Sequence, residues 1–166
     1  MKLSKKSIDG KRRSLAAIER GMAFWTSPKK WVKEVELSNS DAYETEAADL
    51  VMGCRPACAC AIGVALIGAA EVTAAEKKAS LPKFGPEFSS LEAFKDAMGD
   101  AVNGFGDDAE TLRNSAVDEL DRDVPEEFGG IMEMNDDAEM TLAKIKGQFL
   151  ITTKRLRREI KTGKTA

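Results

Sequence analysis

Three cysteines fall within seven positions, Cys54, Cys58 and Cys60, in a chain that contains no histidine. Grouped thiols can ligate zinc, but a structural zinc site takes four ligands, usually as two spaced pairs, and no histidine is present to complete the set. If Cys58 and Cys60 are both helical, they point about 200° apart and cannot share an ion without unwinding the first turn. A thiol near a helix N-terminus can instead have a lowered pKa and act as a nucleophile or redox sensor. The lack of histidine removes the usual general base and excludes serine and cysteine triads of the familiar kind. Packing as small apolar side chains is the simpler reading of all three. Their odd number and crowding do not form a disulfide framework, which agrees with a reducing, cytoplasmic compartment.

Carboxylates are the next candidates. Asp118, Glu119, Asp121, Asp123, Glu126 and Glu127 form the densest acidic run, and paired carboxylates can hold magnesium or perform acid/base chemistry. The same composition is that of a solvated helix end. Asn135-Asp136-Asp137 reads first as helix capping. Gly63 and Gly68 have the first spacing of a phosphate loop, but no Gly-Lys-Ser/Thr follows. The stretch from Asp100 to Glu110 fails as a calcium loop, because Val102 and Gly104 stand where oxygen ligands are required. Each catalytic template tested fails, and the sequence implies no cofactor and no metal.

Charge is strongly partitioned. The net charge of −3 over 166 residues conceals +5 on residues 1–13, −15 on 14–143 and +7 on 144–166. One reading makes the two basic ends a nucleic-acid or polyanion patch, carried by Lys11, Arg12, Arg13, Arg155, Arg157 and Arg158, since such cations dominate phosphate affinity. The reading favoured here is that the ends lie back on the acidic body or are solvated. The overall pI is acidic, and the basic segments lack interleaved aromatics for base stacking.

The elements that must position these residues are helical. Ala57 to Ala70 is a run of fourteen uncharged small or aliphatic residues between Arg55-Pro56 and Glu71, short of the ~20 that cross a bilayer. It predicts a buried central helix over 57–78, with Ala61, Ala65 and Ala69 forming a shallow ridge that a neighbouring backbone can approach. Glycine weakens an exposed helix by about 1 kcal/mol relative to alanine, so Gly63 and Gly68 point to tight packing. Leu15, Ile18, Met22 and Trp25 predict a first helix from about Asp9 to Trp25. Residues 28–40 read equally as a short proline-capped helix or as a strand. Residues 42–52 have the composition of a short helix, broken by Gly53 to Pro56. Ser89 and Glu92 have capping-box spacing for a helix with Leu91, Phe94, Met98 and Val102 inward. That helix is expected to end at Asn103-Gly104, with the next starting at Asp107 or Asp108 and carrying Leu112, Ala116 and Leu120. Ile131 to Met134 reads as a short strand. A last long helix framed by Asp136 and Glu139 buries Leu142, Ile145, Phe149, Leu156 and Ile160, and its basic end complements the helix dipole. The N-terminus has positive charge but no apolar stretch behind it, which does not read as a secretory signal.

Three patches carry a resemblance. A tryptophan-bearing first helix, the segment Cys60-Ala61-Ile62-Gly63 and the step from Met134-Asn135-Asp136 to Thr141 resemble an uncharacterised protein family common in actinobacteria and their phages. Met134 stands where that family typically has tryptophan, and Ala59 where it has an aromatic residue or cysteine. The resemblance implies a phage or bacterial accessory protein and supplies no catalytic residues. It makes Asn135, Asp136 and the start of the Cys60 helix, with Trp25, the candidate shared pocket.

The expectation is therefore a mainly α, single-domain helical bundle around the helix at 57–78, with one small strand pair at most. Residues 1–13 form a basic N-terminal segment, 14–161 the helical domain and 162–166 a tail. The expected function is that of a non-enzymatic accessory or interaction protein, binding a host protein or small ligand or forming a homo-oligomer. A nucleic-acid-binding protein is the alternative, and a small thiol- or carboxylate-dependent enzyme is third. No membrane association is expected.

Overall fold

The central apolar run behaves as its composition demands. In the computed structural model, which describes residues 1–33, 37–38, 46–81, 83 and 85–166, it becomes helix α3 (Ala61–Glu76), in which every residue from Ala61 to Thr73 except Ile62 and Glu71 is buried. A helix apolar all round belongs inside a bundle. Around it, among the described residues, lie six further α-helices: α1 (Lys5–Met22), α2 (Ala47–Val51), α4 (Leu91–Met98), α5 (Asp100–Asp121), α6 (Ile131–Asp136) and α7 (Leu142–Thr162). The protein is a mainly α single-domain bundle, and none of the helices described is long and apolar enough to cross a membrane.

Backbone contact fixes α1 on α3. A Cβ added to Gly68 would lie 1.7 Å from the Ala17 carbonyl oxygen, and one added to Gly21 would lie 1.9 Å from that of Val64. Only glycine permits this approach. The two helices run antiparallel, with Arg13 ion-paired to Glu76 at 2.8 Å at one end and Trp25 beside Ala59 at the other. Helix α7 returns antiparallel to α1: Leu3 N donates to Gly163 O at 2.7 Å, while the Trp25 and Phe149 rings meet with centroids 5.2 Å apart. Ile145, Phe149 and Leu156 on α7 are fully buried in this core.

Several boundaries differ from expectation. The central helix begins at Ala61, because Cys60 is an extended N-cap residue and Cys58–Ala59 form strand β2, antiparallel to β1 (Leu37–Ser38). Cys58 and Cys60 are thus not both helical. Helix α1 starts at Lys5, capped by the Ser4 hydroxyl, and stops at Met22; Trp25 lies past its end in a turn. Residues 28–30 are a single 3-10 turn, and Trp31 bridges to Ala59. Residues 34–36 and 39–45, on which part of the undecided 28–40 segment and the start of the expected 42–52 helix fall, lie outside the described residues.

Glycine placement explains two more differences. The break after α4 comes at Gly99, whose φ of +53° favours glycine, and α5 then runs unbroken through Asn103-Gly104. Within it Gly106 serves close approach: a Cβ there would sit 2.9 Å from Ala48 N on α2. The serine that caps α4 is Ser90, whose hydroxyl accepts from Ala93 N at 3.0 Å, and not Ser89. Ile131–Asp136 is a helix, not a strand, because Asp121 accepts the Ile131 N–H at 2.7 Å as a distant cap. Helix α7 takes Thr141 as its N-cap.

Gly68→Ala and Gly21→Ala are each expected to lower the unfolding free energy by about 3 kcal/mol in urea titration, since backbone must move to admit the methyl. The same change at Gly147, where a Cβ meets nothing within 4 Å, is expected to be neutral or to stabilise by up to about 1 kcal/mol. Equal effects at the three positions would show that α1 and α3 do not touch through backbone.

Candidate functional site

The N-terminus of α3 gathers three of the four residues singled out as a shared pocket. Asn135, fully buried on α6, directs its side-chain oxygen at two donors, Ala61 N at 3.1 Å and Trp31 Nε1 at 2.8 Å. Its amide nitrogen donates to Val32 O at 3.1 Å and to Asp136 Oδ1 at 2.9 Å. The side chain of Asn135 therefore acts as a cap for α3 supplied from another helix. Trp25 is buried, and its indole N–H donates to Ala59 O at 2.9 Å, one residue before the buried Cys60. Lys146 in turn donates to Trp25 O.

This convergence forms a clasp. Both ends of the Asn135 amide are engaged, so its hydrogen-bonding capacity goes into joining α6, the Trp31 segment and α3. Cys60 occupies the cap position itself, while Cys54 and Cys58 are half-buried. Among the described residues no group of three or more cysteine or acidic side chains is placed to hold a metal ion. Asp136 is half-buried beside Asn135.

The basic residues assigned to a polyanion patch have a different geometry. Lys11 is buried, and its Nζ lies 2.9 Å from both Glu119 Oε1 and the fully buried Glu159 Oε2. Arg155 reaches Glu119, Asp123 and Glu159 at 2.9, 2.9 and 3.1 Å. Arg122 completes the cluster at 3.2 Å from Glu119. Three cations and three carboxylates thereby join α1, α5 and α7, and Ala166 N donates to Glu159 Oε1 at 2.8 Å, tying down the C-terminus. Arg12 pairs with Asp9, Arg13 with Glu76 and Arg157 with Glu19. Arg158 is exposed and makes no ion pair among the described residues. Five of the six cations assigned to the patch are thus ion-paired, and two residues of the acidic run, Glu119 and Asp123, are among their partners.

Electrostatics follow from this packing. Burial alone would push the Glu119 carboxyl up, but the hydrogen bonds and charges of Lys11 and Arg155 outweigh it and hold it below the usual glutamate range. Glu159 is likewise held low against its burial, by the Ala166 N–H and by Lys11 and Arg155. Burial opposes the charge on Arg155, yet Asp123 and Glu119 raise its pKa.

Reading residue types alone missed the partners. Nothing in the spacing of Lys11, Glu119 and Glu159 links them, because their proximity comes from three helices remote in sequence. Trp31 as the donor to Asn135 was also missed. Gly21 left a signal in the pair Ala17 and Gly21, four residues apart, which complements the small-residue face of α3. Fold and site define a helical bundle closed by a buried amide clasp and an internal ion-pair cluster. The chain matches no family model, no curated protein and no solved structure.

Asn135→Ala leaves the Trp31 indole and the Ala61 N–H without their acceptor. It is expected to cost about 3 kcal/mol in chemical denaturation, with tryptophan emission shifted to the red as Trp31 loosens. An unchanged spectrum and midpoint would remove the clasp from the account.

Glu119 and Glu159 have folded-state pKa values below their unfolded ones, so their contribution is complete above the ordinary glutamate value of about 4.3 and is lost as pH falls through the folded values. Stability is expected to be level from neutral pH to about 5 and to fall steeply below about 4. Glu159→Gln should cost about 3 kcal/mol at neutral pH, with the gap to the parent protein closing as pH falls. A gap independent of pH would assign the loss to packing.

Proposed function

We propose that this protein acts by binding and not by catalysis, through the outer face of α7. The observation that carries this reading is the exposure of two adjacent large aliphatic side chains on α7. Leu150 and Ile151 are 47% and 53% exposed. They adjoin a groove of about 420 Å³ between α6 and α7, whose apolar wall includes Phe128, Met134, Met140 and Ile151. Such patches on small proteins mark interaction surfaces. Asp137, Glu139 and Lys144 line the same groove. Support also comes from the reactive groups, which are engaged elsewhere: Asn135 in the clasp, Cys60 at a cap, and Glu119 and Asp123 in ion pairs. An accessory role of the kind implied by the actinobacterial and phage resemblance is of this class.

The test is capture from an extract of the native host with the protein immobilised, against the double variant Leu150→Glu, Ile151→Glu. The parent is expected to retain a defined protein or small ligand that the variant loses, with unchanged circular dichroism. Identical recovery by both would overturn the assignment of function to this face.

A further inference from the structure

The cations that residue order singled out for a polyanion are mostly paired, but the fold gathers a different set. Residues from the two ends of the sequence meet: Lys2 and Lys164 face each other in an antiparallel bridge, with Leu3 N donating to Gly163 O at 2.7 Å and Thr165 N to Met1 O at 3.1 Å. Lys5 and Lys6 open the first turn of α1 just beyond this bridge, and Lys161 lies in the last turn of α7 just before it. All five lysines are exposed, and none is ion-paired among the described residues. The carboxylates within one turn of them are engaged, Asp9 with Arg12 and the buried Glu159 with Lys11 and Arg155. Asp118, which shares the α1–α5 cleft with Ser7, is an exposed carboxylate at the flank of this end.

This placement works against the stability of the isolated chain. Like charges directly opposite in an antiparallel pair repel, and that is the position of Lys2 and Lys164. Cations at a helix N-terminus oppose its dipole, and the first turn of α1 begins with Lys5 and Lys6 and holds no acidic residue. Of the five, Lys161 stands where the dipole of its own helix favours a cation. Packing thus accounts for Lys11 and Arg155 but not for this cluster. We propose that the joined ends form a surface for double-stranded nucleic acid, held through its phosphates. A duplex carries dense negative charge along its length, which relieves the repulsion among the five lysines. Residues 1–6 and 154–166 contain no aromatic side chain, so the base stacking on which single-strand binding draws has no platform here. A basic helix that lies on a membrane sets large apolar side chains beside its cations. Here Ile18 of α1 and Phe149 and Leu156 of α7 are buried in the core, and of the exposed large apolar residues Met1 alone belongs to these end segments. The acidic body confines contact to this end, and phosphate contacts carry no sequence information, so binding is independent of sequence. Lys161 lies ten residues, about 15 Å, along α7 from Ile151, and this surface does not depend on the apolar face described above.

Fluorescence anisotropy of labelled duplex DNA of mixed sequence, titrated with the full chain at several salt concentrations, tests this. With one phosphate contact from each lysine, affinity is expected to fall about 500-fold between about 50 and about 200 mM salt. Lys5→Gln and Lys164→Gln should each weaken binding about tenfold at the lower salt and reduce the salt slope by about 0.9. Each should also raise the melting temperature of the free protein by about 2 °C at low salt, because a repulsion is removed. Lys29→Gln, in the turn beyond the far end of α1, should leave the affinity within about twofold of the parent. No binding at the lower salt overturns the proposal, as does binding that the lysine changes leave intact. Binding lost together with a lowered melting temperature would make these lysines structural and overturns it equally. Equal or tighter binding to vesicles of phosphatidylserine and phosphatidylcholine, weakened by the same changes, would assign the surface to a membrane and refute the nucleic-acid reading.

Discussion

The close approach of α1 to α3 is the constraint on which the rest of the structure depends. With Gly21 under Val64 and Gly68 under Ala17 and Gly21, the two backbones come nearer than any pair bearing Cβ atoms at those points. That nearness lets α3 be enclosed by side chains as small as alanine without leaving voids. It also sets the angle at which α1 leaves the core, and therefore where Trp25 falls at one end and Lys11 at the other. Trp25 arrives over Ala59 and Phe149; Lys11 arrives between Glu119 and Glu159.

Two polar assemblies then close the ends of the bundle. At the start of α3 a single amide, Asn135, satisfies an N–H that the helix itself cannot. At the opposite end the buried Glu159 is compatible with the core because Lys11, Arg155 and the Ala166 N–H all face it. Neither assembly adds much net energy over an apolar equivalent, since desolvating ions opposes their attraction. Each has a stringent geometry, so a slipped pairing of α7 along α1 would strand a charge or an amide. Their contribution is to register.

Much of this was legible in residue order. The all-round apolar run announced a central helix, and its glycines announced close packing, because both are local facts about composition. The buried stripe of α7, Ile145, Phe149 and Leu156, followed from period alone. Helix ends were less legible. Gly99 rather than Gly104 breaks the chain between α4 and α5, since both are glycines in polar surroundings and only the tertiary position of Gly106 against Ala48 shows why the helix must continue. Ile131 to Met134 read as a strand because the segment is short and its helix cap, Asp121, is ten positions away. That Asn135 caps α3 and is occupied on both sides was not legible in residue order, because its partners Trp31, Val32 and Ala61 are remote in sequence.

The partition of charge acquires a physical sense from the same geometry. Only part of the basic ends is free to face a polyanion: Lys11 and Arg155 face inward, and Arg12, Arg13 and Arg157 sit in surface pairs. Lys11 and Arg155 thereby hold α1 and α7 to α5. Exposed along α7 are Lys144, Lys154 and Arg158, with the half-exposed Leu150 and Ile151 between them, and Asp137 and Glu139 lie just ahead of the helix. Leu150 and Ile151 are about half exposed, so each forfeits roughly half of the ~1.5–3 kcal/mol that full burial of such a side chain supplies. The fold offers no internal place for them, because α7 already spends its opposite face on Phe149 and Leu156. That half-exposed apolar pair is a feature of the molecule that its own packing does not explain.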